Sequence, residues 1–286
     1  MHYMDKKTDA CPFCESSEYN KHYRILSRIG DKSVSYFRCR KCRSIMQYPH
    51  PDESTLTHYY NNYIEIKTRM NPGYLEQTAY RLLVAERDAS FRDIGFSKRI
   101  IPDSVNIELG CANGHFLRYL NENGSRTTIG IDRSKALLDM IKLDNVTLIH
   151  GTLNAIPDTS GDNIFLFNVL EHIPGTSEVL REIVRISKPD SKILIEIPLT
   201  GFIQNRFGSK WRFLMPDEHL NIPSRKGLKI LLKKHNLKIT SQTRFGSGIT
   251  AGTVPRPVKV LCDFLAKGLR IGDRGVFLVE RIRGKR

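Results

Sequence analysis

Between residues 105 and 197, short apolar runs alternate with segments whose apolar residues recur at helical spacing. Strands that alternate with helices of about ten residues form a parallel sheet with helices on both faces. We therefore expect an α/β fold on a doubly wound, mostly parallel sheet. The predicted strands are 105–109, 127–132, 146–150, 163–169, 192–197, 237–245 and 276–282, and the predicted helices are 114–123, 134–143, 177–186 and 225–235.

The composition is that of a folded protein without a membrane span. Hydrophobic residues make up 40% of the 286 residues and charged residues 26%, which excludes a wholly disordered chain. No window holds about 18 consecutive apolar residues, so no spanning helix is expected. The N-terminal residues contain no apolar stretch of signal-peptide length, and we expect a cytoplasmic location.

Four of the six cysteines form two pairs, each with two intervening residues: Cys11 with Cys14, and Cys39 with Cys42. This spacing lets both thiolates of a pair reach one tetrahedral ion, so the pairs predict a structural Zn²⁺ site in an N-terminal zinc ribbon, residues 1–50. Two disulfides are the alternative, which a reducing compartment disfavours. Cys111 and Cys262 remain outside the site.

A glycine-rich turn follows the first predicted strand of the sheet. It runs from Glu108 through Gly110 and Ala112 to Gly114, and it opens a helix. The dinucleotide pattern GxGxxG is not matched, because Ala112 and His115 stand where glycines are needed. The turn is either a nucleotide-type cofactor site or only a tight connection between strand and helix. Asp132, 22 residues after Gly110 at the end of the next strand, favours the cofactor site, because a carboxylate there can accept both ribose hydroxyls.

These segments resemble class I S-adenosylmethionine-dependent methyltransferases, which have a Rossmann-like fold. The similar segments are ELGCANG, GID at 130–132, NIFLFNVLEHIP at 163–174 and ISKPDSKILIEIP at 186–198. The cysteine pairs, and the stretch from Trp211 through Pro216 to Leu220, resemble bacterial sugar and polysaccharide-cluster members of that family. The resemblance implies that Glu108, Gly110, Ala112 and Gly114 line the methionine end of the cofactor. It also implies that Asp132 binds the ribose, with Asn168 and Glu171 near the sulfonium.

Two histidines are candidate general bases for methyl transfer. His172 follows the fourth strand of the sheet, and His219 lies in an insertion expected to cap the cleft. An imidazole has a pKa near neutrality and can remove a proton from an acceptor. Each could instead be a structural histidine. His115 would contact cofactor or fill space, His150 is expected to be structural, and Trp211 either stacks on substrate or anchors packing.

The domain organisation follows from these segments. We expect a zinc ribbon at 1–50, a helical linker or cap at 51–103, and a methyltransferase domain at 104–286, with the capping insertion at 199–224 and a basic region at 225–286. That basic region has 16 Lys and Arg against 3 Asp and Glu, within a total net charge of +15. Such asymmetry indicates an anionic partner. The amphipathic stretch 257–269 is either a core helix on the sheet or a contact with an anionic membrane face.

The sequence thus predicts methyl transfer to a glycan precursor or a related small or lipid-linked metabolite. An RNA methyltransferase that holds RNA with the ribbon and the basic region is the first alternative. A non-catalytic cofactor-binding scaffold is the second. The acceptor atom and the oligomeric state do not follow from the sequence.

Overall fold

The computed structural model of the protein describes residues 10–27, 33–70, 77–249 and 253–282. Residues 1–9 of the predicted ribbon and 283–286 of the basic region lie outside the described residues. The described strands are β1 (Tyr19–Leu26), β2 (Ser33–Cys39), β3 (Ile45–Tyr48), β4 (Val105–Leu109), β5 (Thr127–Asp132), β6 (Val146–His150), β7 (Gly161–Phe167), β8 (Ser187–Pro198), β9 (Asn221–Ile222), β10 (Leu237–Phe245) and β11 (Arg274–Arg281). The described α-helices are α1 (Glu53–Asn61), α2 (Tyr63–Met70), α3 (Gln77–Ile94), α4 (His115–Glu122), α5 (Lys135–Met140), α6 (Thr176–Ile186), α7 (Phe202–Phe207), α8 (Arg225–Lys234) and α9 (Arg256–Gly268).

Seven strands form the main sheet in the order β10-β11-β8-β7-β4-β5-β6. The pairs β4–β5, β4–β7 and β5–β6 are parallel, with Ile107 of β4 opposite Ile129 on one side and Ile164 on the other. The predicted doubly wound, mostly parallel α/β fold is confirmed. Its strands at 105–109, 127–132, 146–150 and 237–245 have the predicted bounds.

Three of the seven predicted strands have different bounds, and the last of them, predicted at 276–282, is β11 at Arg274–Arg281. The strand predicted at 163–169 ends at Phe167, and Asn168 follows it in a left-handed conformation with φ 55°. The strand predicted at 192–197 is longer, because β8 begins at Ser187. None of the helices in the described part of the chain is long and apolar enough to cross a bilayer.

The chain divides into two compact units, each built from separate stretches of sequence. The first comprises Met1–His50, Asn168–Leu180 and Glu196–Val276, and the second comprises Pro51–Phe167, Arg181–Ile195 and Phe277–Arg286.

In the first unit, β1, β2, β3 and β9 form a four-stranded sheet whose pairs are antiparallel. β9 pairs with β3 through Ile45 opposite Ile222, so the fourth strand comes from the insertion. Trp211 is 1% exposed, packs in this core, and donates its indole N–H to Asp273 at 3.0 Å. The interpretation of Trp211 as a substrate-stacking residue is wrong, and the packing alternative is confirmed.

In the second unit, the core between α3, α4 and β7 is aromatic. Phe116 lies at its centre, with ring centroids 4.8 Å from both Phe165 and Phe167. The guanidinium of Arg87, on α3, lies 3.9 Å from the centroid of Phe167. This packing fixes the start of α4, and with it the turn that connects α4 to β4.

Candidate cofactor site and metal-binding clusters

The turn between β4 and α4 uses three left-handed residues, Gly110 at φ 73°, Ala112 at φ 47° and Gly114 at φ 74°. Glycine adopts this conformation without steric cost. A Cβ on Gly114 would lie 2.9 Å from the side chain of Ile141, so space as well as backbone requires glycine there. The N–H of Gly110 donates to the carbonyl of Ile131 at 2.8 Å, which ties the turn to β5.

Asp132, at the end of β5, holds this turn in place. Its carboxylate accepts from the N–H of Ala112 at 2.9 Å and from the N–H of Ser134 at 2.8 Å. Burial raises the pKa of Asp132, while these backbone hydrogen bonds oppose the rise. A carboxylate offers about four acceptor positions, so Asp132 can also accept a hydroxyl donor from a ligand.

Glu108, near the end of β4, is a buried carboxyl group, and its Oε2 has no hydrogen-bond partner among the described atoms. Burial raises its pKa well above the ordinary value of 4.5, against the attraction of Arg87. A buried acceptor without a donor is costly, and a ligand that brings N–H groups would relieve that cost. Glu108, Ala112 and Asp132 therefore fit a ligand with an ammonium group and vicinal hydroxyls, as S-adenosylmethionine has.

The sequence did not indicate that Arg133 contacts Glu53 and Tyr60 beside Asp132. The guanidinium of Arg133 pairs with Glu53 of α1 and lies 5.1 Å from the ring centroid of Tyr60. His115 packs edge-on against Tyr80, with centroids 5.7 Å apart, and burial lowers its pKa. His150 is exposed and bonds the carbonyl of Arg133 at 3.0 Å.

The two candidate bases lie together in the first unit. The ring centroids of His172 and His219 are 4.8 Å apart, and Glu171 completes a group whose ligand atoms lie within 4.8 Å of one another. The N–H of Leu220 donates to the carbonyl of Glu171 at 2.7 Å, so the backbone joins both segments. The Nδ1 atom of His219 lies 2.9 Å from the carbonyl of Phe213. A carbonyl only accepts, so Nδ1 is protonated and Nε2 of the neutral ring has a lone pair.

The four paired cysteines converge at a second cluster in the same unit. All four are buried and free, and their sulfur atoms lie within 4.8 Å of one another. Hydrogen bonding with Cys11 lowers the pKa of the Cys42 thiol to about 5, whereas the same hydrogen bond raises the pKa of Cys11 and burial raises that of Cys14 to about 11. All four thiols therefore ionise together only when a cation is present. A divalent metal ion deprotonates coordinating thiols, and a tetrahedral arrangement of four is the usual structural zinc site.

Helix α8 begins at this cysteine cluster. Its N-cap residue Ser224 bonds the carbonyl of Cys42 and accepts from the N–H of Gly227 at 2.9 Å. The N–H of Ser224 in turn donates to the hydroxyl of Ser44 at 3.0 Å. A Cβ on Gly227 would overlap the Ser44 hydroxyl and lie 3.3 Å from the Cys42 sulfur. The positive end of the helix thus lies next to sulfur atoms that would be anionic with metal bound.

Comparison with known proteins agrees with this fold. A sequence profile described as a methyltransferase domain matches residues 86–242, which is 157 of the 286 residues. Among curated proteins, none matches this sequence.

Several solved structures are similar in fold. An S-adenosylmethionine-dependent methyltransferase from Thermotoga maritima has 13% identity and a TM-score of 0.55, over 80% of this chain and 100% of that chain. The 1,6-didemethyltoxoflavin-N1-methyltransferase of Burkholderia thailandensis was solved with 1,6-didemethyltoxoflavin and S-adenosylhomocysteine. It has 14% identity and a TM-score of 0.53, over 90% of this chain and 99% of that chain. An Archaeoglobus fulgidus S-adenosylmethionine-dependent methyltransferase has 18% identity and a TM-score of 0.50, over 71% and 94%. Because the profile covers more than half of the chain, this protein belongs to the methyltransferase domain family and is an S-adenosylmethionine-dependent methyltransferase.

Proposed function

We propose that this methyltransferase acts on a glycan precursor, with the cofactor held at Glu108 and Asp132 and the acceptor activated beside His172 and His219. The observation that best supports the cofactor assignment is the buried Oε2 of Glu108, which lacks a hydrogen-bond donor. We assign this oxygen to the ammonium of the cofactor and Asp132 to its ribose. Gly110, Ala112 and Gly114 give the ligand close access to the backbone, and Asn168 and Glu171 remain proposed contacts of the sulfonium end.

When bound, S-adenosylmethionine supplies an activated methyl group on a sulfonium. The protein then has to align the acceptor and remove its proton. We assign proton removal to His172 and His219, because the protonated Nδ1 of His219 leaves Nε2 as an acceptor. Replacement of either histidine by glutamine should abolish transfer and leave cofactor affinity unchanged.

The glycan substrate class rests on the resemblance of the cysteine pairs and of the segment around His219 to sugar-cluster methyltransferases. RNA remains the alternative, favoured by the basic region. Methyl-labelled cofactor incubated with purified nucleotide-linked or lipid-linked glycans, and separately with RNA, distinguishes the two. We expect label in the glycan fraction and a 260/280 nm absorbance ratio typical of nucleic-acid-free protein. Label confined to RNA would overturn this substrate class.

We propose that Cys11, Cys14, Cys39 and Cys42 hold one structural Zn²⁺. The support is the convergence of four buried free thiols. Four thiolates fill a tetrahedral shell, so the ion has no open position for substrate. Elemental analysis of purified protein should give a zinc-to-chain ratio near one for this site.

We further propose that α9 docks on an anionic membrane surface on the cytoplasmic side, where lipid-linked precursors lie. The alternative is a core helix on the sheet. Helix α9 does lie against β10, but the side that packs carries Lys259, Asp263 and Ala266 rather than the large apolar residues. Ala266 is buried, and Asp263 accepts from the N–H of Ser247 at 2.8 Å and pairs with Lys259. The apolar side chains are instead exposed: Val258 46%, Val260 59%, Leu261 57%, Phe264 72%, Leu265 49% and Leu269 67%.

The charges around this face favour an anionic lipid surface over other occupants. Arg256, Lys267 and Arg270 are exposed beside it, while Asp263 on the same helix faces Ser247 and Lys259. An amphipathic helix with basic flanks binds at the interface of anionic bilayers. Each basic residue near the surface contributes about 1 kcal/mol, so several act together.

Flotation with vesicles of anionic and of zwitterionic phospholipid tests this surface. We expect binding only to anionic vesicles, reduced by salt as screening increases. Phe264→Ser should abolish binding, whereas Leu82→Ser, which removes a side chain 68% exposed on α3, should not. Absence of binding at low salt would overturn the proposal. A concentration-dependent dimer that Phe264→Ser disrupts would instead identify a second copy as the occupant.

A further inference from the structure

The group formed by Glu171, His172 and His219 has the chemistry of an open metal site. Two imidazoles and one carboxylate converge within 4.8 Å, with Glu171 fully buried and His219 5% exposed. Three protein ligands of this kind leave coordination positions for water or substrate, as in catalytic His₂Glu zinc sites and in 2-His-1-carboxylate iron sites. By contrast, four cysteine ligands would fill a tetrahedral shell and leave no coordination position for water or substrate.

The surroundings of His219 match those of a metal-ligating histidine. Its Nδ1 bonds the backbone carbonyl of Phe213, which directs Nε2 and its lone pair away from that carbonyl. Histidine ligands of metals nearly always donate their second N–H in this way, which fixes the tautomer and the ring orientation. The ring of Phe213 also stacks on the imidazole, with centroids 5.9 Å apart.

The backbone fixes the other two side chains relative to His219. Glu171 and His172 lie in a single 3₁₀ turn, Leu170–His172, closed by the N–H of His172 on the carbonyl of Val169 at 3.0 Å. Asn221 joins the two segments a second time, because its side-chain amide donates to the carbonyl of Ile173 at 3.0 Å. Little reorganisation would therefore be needed to bind an ion.

We propose that Glu171, His172 and His219 bind a divalent cation such as Zn²⁺, Fe²⁺ or Mn²⁺, and that the acceptor hydroxyl is activated by contact with it. With the ion bound, His172 and His219 act as its ligands, and the cation rather than an imidazole promotes loss of the hydroxyl proton. This role rests on the proposed methyl transfer, whereas the binding itself does not. A hydroxyl near a divalent cation loses its proton to solvent more readily. Its oxygen then forms a bond to the methyl carbon as the carbon–sulfur bond breaks and the electron pair remains on sulfur.

Electron paramagnetic resonance titration with Mn²⁺ of full-length protein that carries a single Zn²⁺ per chain, at the four-cysteine cluster, tests the site without cofactor or substrate. Mn²⁺ prefers oxygen and nitrogen donors, so it should not compete for the four thiolates. We expect one Mn²⁺ per chain, with affinity reduced at least about tenfold by Glu171→Gln and by His219→Gln. The control His58→Gln, which changes an exposed histidine of α1, should have no effect.

Three results would count against the site. The first is a wild-type protein with neither Mn²⁺ binding nor a second metal by elemental analysis. The second is Mn²⁺ binding by both variants as tight as that of wild type. Transfer activity that persists after chelation, in protein that retains its four-cysteine zinc, would also overturn it. Calorimetry with S-adenosylmethionine on the same samples distinguishes absence of the metal site from absence of methyltransferase function. Cofactor binding does not require the cation, so it should persist when only the metal site is absent. Unchanged melting temperatures of the variants establish that they fold.

Discussion

Replacement of Glu108 by glutamine is the sharpest test of the cofactor site. The change keeps the size of the side chain and removes its capacity for negative charge. A hydrogen bond between charged groups contributes about 1.5–3 kcal/mol, so the variant should bind S-adenosylmethionine about 10- to 150-fold more weakly. The expectation follows from the buried Oε2, which has no donor among the described atoms until a ligand provides one.

The same carboxyl group should make cofactor binding depend on pH. Burial raises the pKa of Glu108 well above 4.5, so the group is protonated in the free protein at pH values between its ordinary and its raised pKa. An ammonium ligand favours the ionised form, and binding in this range should release a proton. Affinity should therefore increase with pH across the range, and this increase should be absent in Glu108→Gln.

The contribution of Glu108 to the free energy of unfolding should decrease as pH rises, whereas the affinity for the cofactor increases. The folded protein binds the Glu108 proton more tightly than the unfolded chain does, so this residue lowers the free energy of unfolding as pH rises from about 4.5 towards the raised pKa. Glu108→Gln should remove that decrease. Without cofactor, and at pH values above this range, its melting temperature should be higher than that of wild type.

Calorimetry in two buffers of different ionisation enthalpy, at several pH values between about 5 and 8, measures the affinity and the proton release together. Asp132→Asn is the matched control, because it should weaken binding and retain the proton release that belongs to Glu108. Wild-type affinity that is constant over this range, or equal affinity in Glu108→Gln, would refute the reasoning.

Three further changes have defined outcomes. Asp132→Ala should weaken S-adenosylmethionine by about 1.5–3 kcal/mol in calorimetry, because it removes the ribose acceptor and the bond to Ala112; unchanged affinity would remove Asp132 from the site. Gly130→Ala should destabilise the fold by about 1–3 kcal/mol in thermal melts, because its Cβ would lie 2.5 Å from Leu117, whereas Gly268→Ala, with open space around it, should not; equal melting temperatures would contradict this. Cys39→Ser should lose zinc in elemental analysis, and hydrogen exchange should then increase in residues 199–227 as well as in the ribbon, since both share one core; an increase confined to the ribbon would argue for an independent domain.

The sequence predicted the central sheet well for a physical reason. Strands β4 and β7 are buried at most positions, so both are short apolar runs, and the ends of β4 and β5 are marked by Gly110 and Asp132. The proximity of Glu108, the glycine turn and Asp132 followed from the parallel arrangement of β4 and β5. Local pattern and strand order were enough to predict this part of the cofactor site.

Other features depend on distant parts of the chain. The two-residue strand β9 has no sequence pattern of its own and exists because β3 is beside it. The spacing of α9 identified its apolar side but not which side faces the protein, because the bond between Asp263 and Ser247 decides that orientation. Likewise, Glu171 was assigned to the cofactor by resemblance, and its proximity to His172 and His219 required the folded chain.

The pairing of β3 with β9 has a consequence for how the chain is made. Ile45 and Ile222 are about 180 residues apart, so closing this pair costs roughly 2.5 kcal/mol more loop entropy than closing a ten-residue hairpin. At about 5–20 residues per second, a ribosome needs roughly 10–35 seconds to synthesise the intervening chain. Until then the nascent ribbon has an open strand edge, the kind of surface on which β-sheets aggregate. If the proposed zinc binds early, the cysteine pairs would hold this segment together through the interval, and zinc supply during translation would then affect yield.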